Sequence, residues 1–196
     1  MSEKRILLDT NAYLKLGHSI YPLIHQKFGK TATYTLLIHP YLEDEVFKKS
    51  SRLDASGFKA KFHWFFDERY LQDRKLNFSL SKKDKKEIDF IVKTIRHSEE
   101  FESFQQVSDI DVWCLAFGMH FEIPVVTDDS DMFFLAKELE ITVLTTLELL
   151  KLMLDEQHIS IEKIREIASY WLYLPDIPRN FAAEYYKLFK ENVPKL

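Results

Sequence analysis

The stretch "EIPVVTDDSDMFFLAKELEITVLTT", residues 122–146, reads as strand, helix, strand. "EIPVVT" is a short β-forming run that stops at three acids in four positions, Asp128, Asp129 and Asp131. Apolar residues resume at Met132 with helical spacing, "ITVLTT" returns to β-formers, and "LELLKLMLDEQ" follows as a helix. Strands separated by a helix indicate a parallel sheet. Working outward, "KRILLD" (4–9) is another buried run that ends at Asp9, with Thr10 or Asn11 placed to cap a helix. "SIYPLIHQKF" suggests a second short helix, and "TYTLLI" (33–38) a further strand ended by His39 and Pro40. Pro40 suits the first turn of a helix carrying "YLEDEVFKKS".

Residues 53–106 are expected to be mostly helical, because "FKAKFHWFFDERYL" and "SKKDKKEIDFIVKTIRH" space apolar residues by three and four. "LNFSL" (76–80) reads as a strand or a loop. Ser108 followed by Asp111 marks a helix start ahead of "VWCLAFGMHF". The expected fold is α/β: a three-layer α/β/α sandwich around a central, mainly parallel sheet. Residues 1–150 form that domain, and 151–196 add helices packed on the same body, broken at Pro175 and Pro178.

Composition narrows the class. Of 196 residues, 46% are apolar and 30% charged, which suits an ordered globular chain, and four glycines argue against a turn-rich all-β protein. One cysteine, Cys114, excludes an internal disulfide and fits a reducing, cytoplasmic setting. The apolar run at the start is short for a signal peptide, and no segment approaches a membrane span. The formal net charge of −4 conceals a basic stretch: residues 48–86 hold twelve Lys and Arg against five Asp and Glu. Such a stretch is either a solvated helical face or a track for a phosphate backbone, with Lys48, Lys49 and Arg52 as candidate contacts.

The acids carry the chemistry. Ligands of open parallel sheets bind at the carboxyl ends of the strands. Asp9 and the 128–131 cluster sit there, Glu45 lies on the helix after the second strand, and Asp111 opens a helix leading back to "PVV". Four segments can thus aim carboxylates at one region, where their repulsion calls for a cation. Oxygen donors without a His or Cys cluster suit Mg²⁺ or Mn²⁺. Each acid also has an ordinary role: Asp9 as a helix cap, Glu45 as a solvated neighbour of Glu43 and Asp44, and Asp111 as a capping acid. Asp129 and Asp131 can form an Asx turn and a cap, and Asp128 reads as a dispensable turn residue.

Taken together, "ILLDTN", "LEDEVF", "SDIDVWCLAFGMHFEIPVVTDDSD" and "ITVLTT" resemble the PIN-domain ribonucleases, which include the VapC-type toxins. The resemblance covers about the first 150 residues. It implies a catalytic set of Asp9, Glu45, Asp111 and Asp129, with Asp109 as an alternative register for the third acid. It also implies metal ligation by Asp9, Asp111, Asp129 and Asp131, with Thr10, Asn11 and Thr127 as supporting polar groups. The activity so implied is Mg²⁺- or Mn²⁺-dependent hydrolysis of RNA. The partners so implied are RNA and, for a toxin-type member, a protein antitoxin, with a homodimer as a further candidate assembly. The competing reading is a PIN-like module that binds RNA or supports assembly without cleaving. A haloacid-dehalogenase arrangement would need an acid where Asn11 stands, and a Toprim arrangement would leave Asp9 and Asp111 unexplained.

Overall fold

The structure is a computed structural model that describes residues 3–21, 23–52, 55–67, 79–104, 106–174, 177 and 180–194. Four parallel strands form the sheet: β1 (Glu3–Leu8), β2 (Thr33–Ile38), β3 (Val125–Val126) and β4 (Val143–Leu144), in the order β2-β1-β3-β4. Around it run α1 (Thr10–Ile20), α2 (Leu42–Arg52), α3 (Ala55–Lys61), α4 (Lys82–Arg96), α5 (Glu99–Glu102) and α6 (Asp109–Phe121). Then come α7 (Ser130–Glu138), α8 (Thr146–Asp155), α9 (Ile161–Trp171) and α10 (Phe181–Phe189).

Strand alternation divides the core in two. Ile6, Leu8, Leu36, Ile38 and Val126 face α1, α8, α9 and α10, where Tyr13, Leu16, Leu150, Met153, Ile167, Trp171 and Tyr185 are buried. Leu7, Leu37 and Val125 face the opposite layer, against Ile88 and Ile95 of α4, Val112 and Phe117 of α6, and Met132 and Leu135 of α7. The result is an α/β/α sandwich. The helices after residue 151 share the first of these cores with β1 and α1.

The differences from the sequence reading are local. "SIYPLIHQKF" does not form its own α-helix: Ser19 and Ile20 close α1, and Leu23–His25 form one 3₁₀ turn. "FHWFF" gives a 3₁₀ turn, His63–Phe66, that buries Trp64 and Phe65. The β3 and β4 ladders are two residues each, because the chain turns into loops as soon as the acids and threonines begin. Most of "LNFSL", Pro175 and Pro178 lie outside the described residues. Among the described residues no helix is long and apolar enough to cross a membrane.

One glycine sets the position of β3. Gly118 lies in the buried helix α6, and a methyl group there would stand 2.5 Å from Val125 Cγ2 and 3.2 Å from the Ile123 carbonyl oxygen. The helix rests directly on the strand that leads into the acidic loop. Gly118→Ala is therefore expected to destabilise the fold by about 1–3 kcal/mol, outweighing the roughly 1 kcal/mol that alanine gains in a helix. Chemical denaturation of the two proteins measures it.

Candidate active site

The four strands end level with one another. Leu8 is in register with Ile38 and with Val126, and Val126 with Leu144. The next residues, Asp9, His39, Thr127 and Thr145, consequently form a polar row across the carboxyl edge of the sheet. Asp9, His39 and Thr127 in that row are buried.

Asp9 forms the floor. It is the N-cap of α1, its Oδ1 accepting from the Ala12 N–H, and the Thr127 hydroxyl also donates to its carboxylate. Burial, and next the charges of Asp128 and Asp111, push its pKa up to about 7 despite those bonds. Asp111 is the third residue of α6 in a capping box: Ser108 N donates to its Oδ2 at 2.9 Å, and Asp111 N donates to the Ser108 hydroxyl at 3.3 Å. Burial, then the charges of Glu45 and Asp129, raise its pKa as well. Asp129 caps α7, accepting from Met132 N at 2.8 Å, and its own N–H donates to Thr127 Oγ1 at 3.1 Å. Thr10 donates its hydroxyl to Glu45 Oε2. Cys114, buried beneath, has its thiol pKa raised well above normal by burial and then by Asp9, Asp111 and Glu45, so it is an inert core residue.

Asp9, Glu45, Asp111 and Asp129 are thus electrostatically joined, with burial falling from Asp9 at the floor to an exposed Asp129. Three of them begin helices, and the partial positive charge of each helix start helps hold the cluster. The threonines tie it together: Thr127 links Asp9 to Asp129, and Thr10 links α1 to α2. Asp131 occupies the first turn of α7, half-buried, and Asn11 is exposed in the first turn of α1. Asp109, the alternative register, is drawn outward by Arg96 at 2.6 Å. The side chains of Lys48, Lys49 and Arg52 lie outside the described residues. Among the described residues, no three carboxylate, imidazole or thiol groups form a ready-made cage for an ion. The donor chemistry suits a hard divalent cation, and each carboxylate has one oxygen fixed by a bond that orients it.

Asp128 proves to be a structural centre rather than a spare turn residue. Its Oδ2 receives Lys15 Nζ and the Thr146 hydroxyl, each at 2.7 Å, and its Oδ1 receives Thr146 N at 2.9 Å. Lys15 also lies 5.3 Å from the ring of Trp171, whose Nε1 donates to the Ser19 hydroxyl at 2.9 Å. One carboxylate therefore joins the acidic loop to α1, α8 and the C-terminal helix α9. The sequence clue is Lys15 itself, the sole Lys or Arg within "TNAYLKLGHSI". Near it, Glu184 of α10 accepts from the Thr145 hydroxyl, and burial raises its pKa.

Comparison with protein-family models, curated proteins and solved structures gives no match for this chain.

Two stability predictions follow from this wiring. The folded protein keeps a proton on Asp9 that the unfolded chain, near 3.8, has shed, so Asp9's contribution to stability declines as pH rises from about 4 to about 7. Asp9→Asn, which retains the acceptor for Ala12 N, should raise Tm in chelator-treated buffer, and by more at pH 8 than at pH 5. Asp128→Ala should cost about 3 kcal/mol, because it strands Lys15, whose side chain is 8% exposed, without its counter-charge. Thermal and urea melts decide both.

Proposed function

We propose that this protein is a divalent-metal-dependent endoribonuclease. The observation that carries the reading is the convergence of four carboxylates from four elements on the carboxyl edge of the sheet, one of them buried and raised to a pKa of about 7. Natural folds do not gather like charges in a buried place for stability, and a bound cation removes the cost. Asp9, Asp111 and Asp129 would hold Mg²⁺ or Mn²⁺, with Glu45 beside them and Asp131 as a further acid. When bound, such an ion polarises a phosphodiester and lowers the pKa of a water.

The chain's own groups have separable tasks in this reading. Asp9 supplies a desolvated carboxylate whose orientation is set by Ala12 N and Thr127. Thr127, fully buried, fixes the spacing of Asp9 and Asp129 by donating to one and accepting from the backbone of the other. Thr10 holds Glu45, whose task in this reading is to orient water. The exposed end of the cluster at Asp129 admits a polymer, and an unpaired RNA strand can bend into such a recess where a duplex cannot. The products on this reading are a 5′-phosphate and a 3′-hydroxyl. The same arrangement fits the toxin of a toxin–antitoxin pair, with an antitoxin protein as inhibitor.

The lack of a ready-made ion cage among the described residues favours a second reading, a non-cleaving RNA-binding module. Activity separates the two. The purified protein is expected to cleave single-stranded RNA in Mg²⁺ or Mn²⁺ and to stop with EDTA. Asp9→Asn should be inert while melting no lower than the parent, and Thr127→Val should lose about 10–100-fold, as removal of an orienting partner does. Cleavage that survives in Asp9→Asn would overturn the nuclease reading, and RNA binding without cleavage would install the module.

A further inference from the structure

Beside the acids stands a group of rings that the metal chemistry leaves unused. Tyr41 lies one helical turn before Glu45, whose N–H donates to the Tyr41 carbonyl at 3.0 Å, so both side chains project from the same side of the α2 start. The Tyr41 ring meets Trp113 edge-on at 4.7 Å and 78°, and His39 at 5.6 Å. Trp113, two residues beyond Asp111, is in turn held by His39 at 4.5 Å and 76°.

His39 makes the cluster rigid. It follows β2 directly in the polar row, and its Nδ1 accepts the Tyr41 N–H at 3.0 Å. Burial drives its pKa down to about 3, so the ring stays neutral and Nε2 carries the hydrogen, with no acceptor among the described residues. The fold therefore spends a buried, incompletely paired imidazole on fixing the backbone and ring of Tyr41. Yet Tyr41 itself is 41% exposed, while the two rings behind it are covered. Packing does not call for this arrangement, since a surface aromatic needs no such support. It is what a stacking surface requires: a ring held in place by its neighbours and still partly open to solvent.

We propose that Tyr41 is a nucleobase-stacking residue, and that the Tyr41–Trp113–His39 cluster is a base subsite for the nucleotide next to the scissile phosphate of single-stranded RNA. The inference rests on the nuclease reading, and it adds where the substrate is gripped. Every base has a π-face, so the subsite favours unpaired over paired RNA without demanding one sequence. Tyr41 is a specificity residue, separate from the carboxylates.

The test uses the full chain and a set of single-stranded RNA oligonucleotides, intact or carrying one abasic nucleotide on either side of the cut. Tyr41→Ala is expected to raise KM by roughly ten-fold or more, the scale of a lost base stack, with kcat changed by less than about three-fold. Tyr41→Phe and Tyr41→Trp should retain the parent KM. An abasic nucleotide at the stacked position should raise the parent's KM to the Tyr41→Ala level and leave the variant unchanged. Equal KM for parent and Tyr41→Ala, or an abasic effect that persists undiminished in Tyr41→Ala, overturns the subsite while leaving the nuclease reading intact. Should Tyr41→Ala fail to fold, the abasic series on the parent still decides: no KM rise at either position overturns the proposal. A parent that neither binds nor cuts RNA overturns both readings together.

Discussion

The level ending of the four strands is the constraint on which the rest depends. Parallel pairing puts Leu8, Ile38, Val126 and Leu144 in one line. The residue after each must therefore share that edge whatever its chemistry. Backbone bonds extend the ladder one step further, Asp9 N to the Val126 carbonyl at 3.1 Å and Thr127 N to that of Leu144 at 3.0 Å. A one-residue slip of β1 would send Leu8 to the other layer and turn Asp9 away from Thr127. Register is thus what converts three separate acid-bearing turns into one cluster.

That cluster also removes the opposition between a cap and a ligand. Asp9, Asp111 and Asp129 each satisfy backbone donors at a helix start, and each is an acid that a metal would accept. Capping uses one oxygen in a fixed direction, which is how a short carboxylate is held still against its like-charged neighbours. The unfavourable burial of Asp9 is offset by the N-terminal ends of helices and by threonine hydroxyls rather than by basic side chains. A lysine at that place would neutralise the acids permanently. Hydroxyls and helix ends orient the carboxylates and leave their demand for a cation in place.

How much was legible in the sequence follows the distance over which each feature is determined. The helix starts near Asp9, Ser108 and Asp129 were readable because capping acts between positions three apart, although the cap of α1 is Asp9 and not Thr10 or Asn11, which lie within the helix. The sandwich followed from alternating patterns. The tie from Lys15 to Asp128 spans 113 positions and leaves no local trace beyond an isolated lysine among apolar residues. The 3₁₀ turn at Leu23–His25 likewise eluded a periodicity argument, since an apolar "LIH" serves a turn as well as a helix. The support of Tyr41 by His39 was hidden because a lone histidine after a strand carries no distinctive spacing.

The unequal fates of Asp128 and Asp129 explain why three acids follow one short strand. Adjacent residues leaving β3 point in different directions, so a single loop can serve two masters. Asp128 turns toward Lys15 and Thr146 and fastens the loop to α1 and α8, while Asp129 turns to the shared pocket beside Asp111. An acid left loose next to such repulsion would swing out toward solvent, taking its helix start with it. With Asp128 neutralised by a buried lysine that also contacts Trp171, the loop is held from behind by the C-terminal helices. The helices after residue 151 therefore bear on the pocket from behind: their packing keeps Lys15 in place, Lys15 keeps Asp128, and Asp128 keeps the backbone from which Asp129 projects.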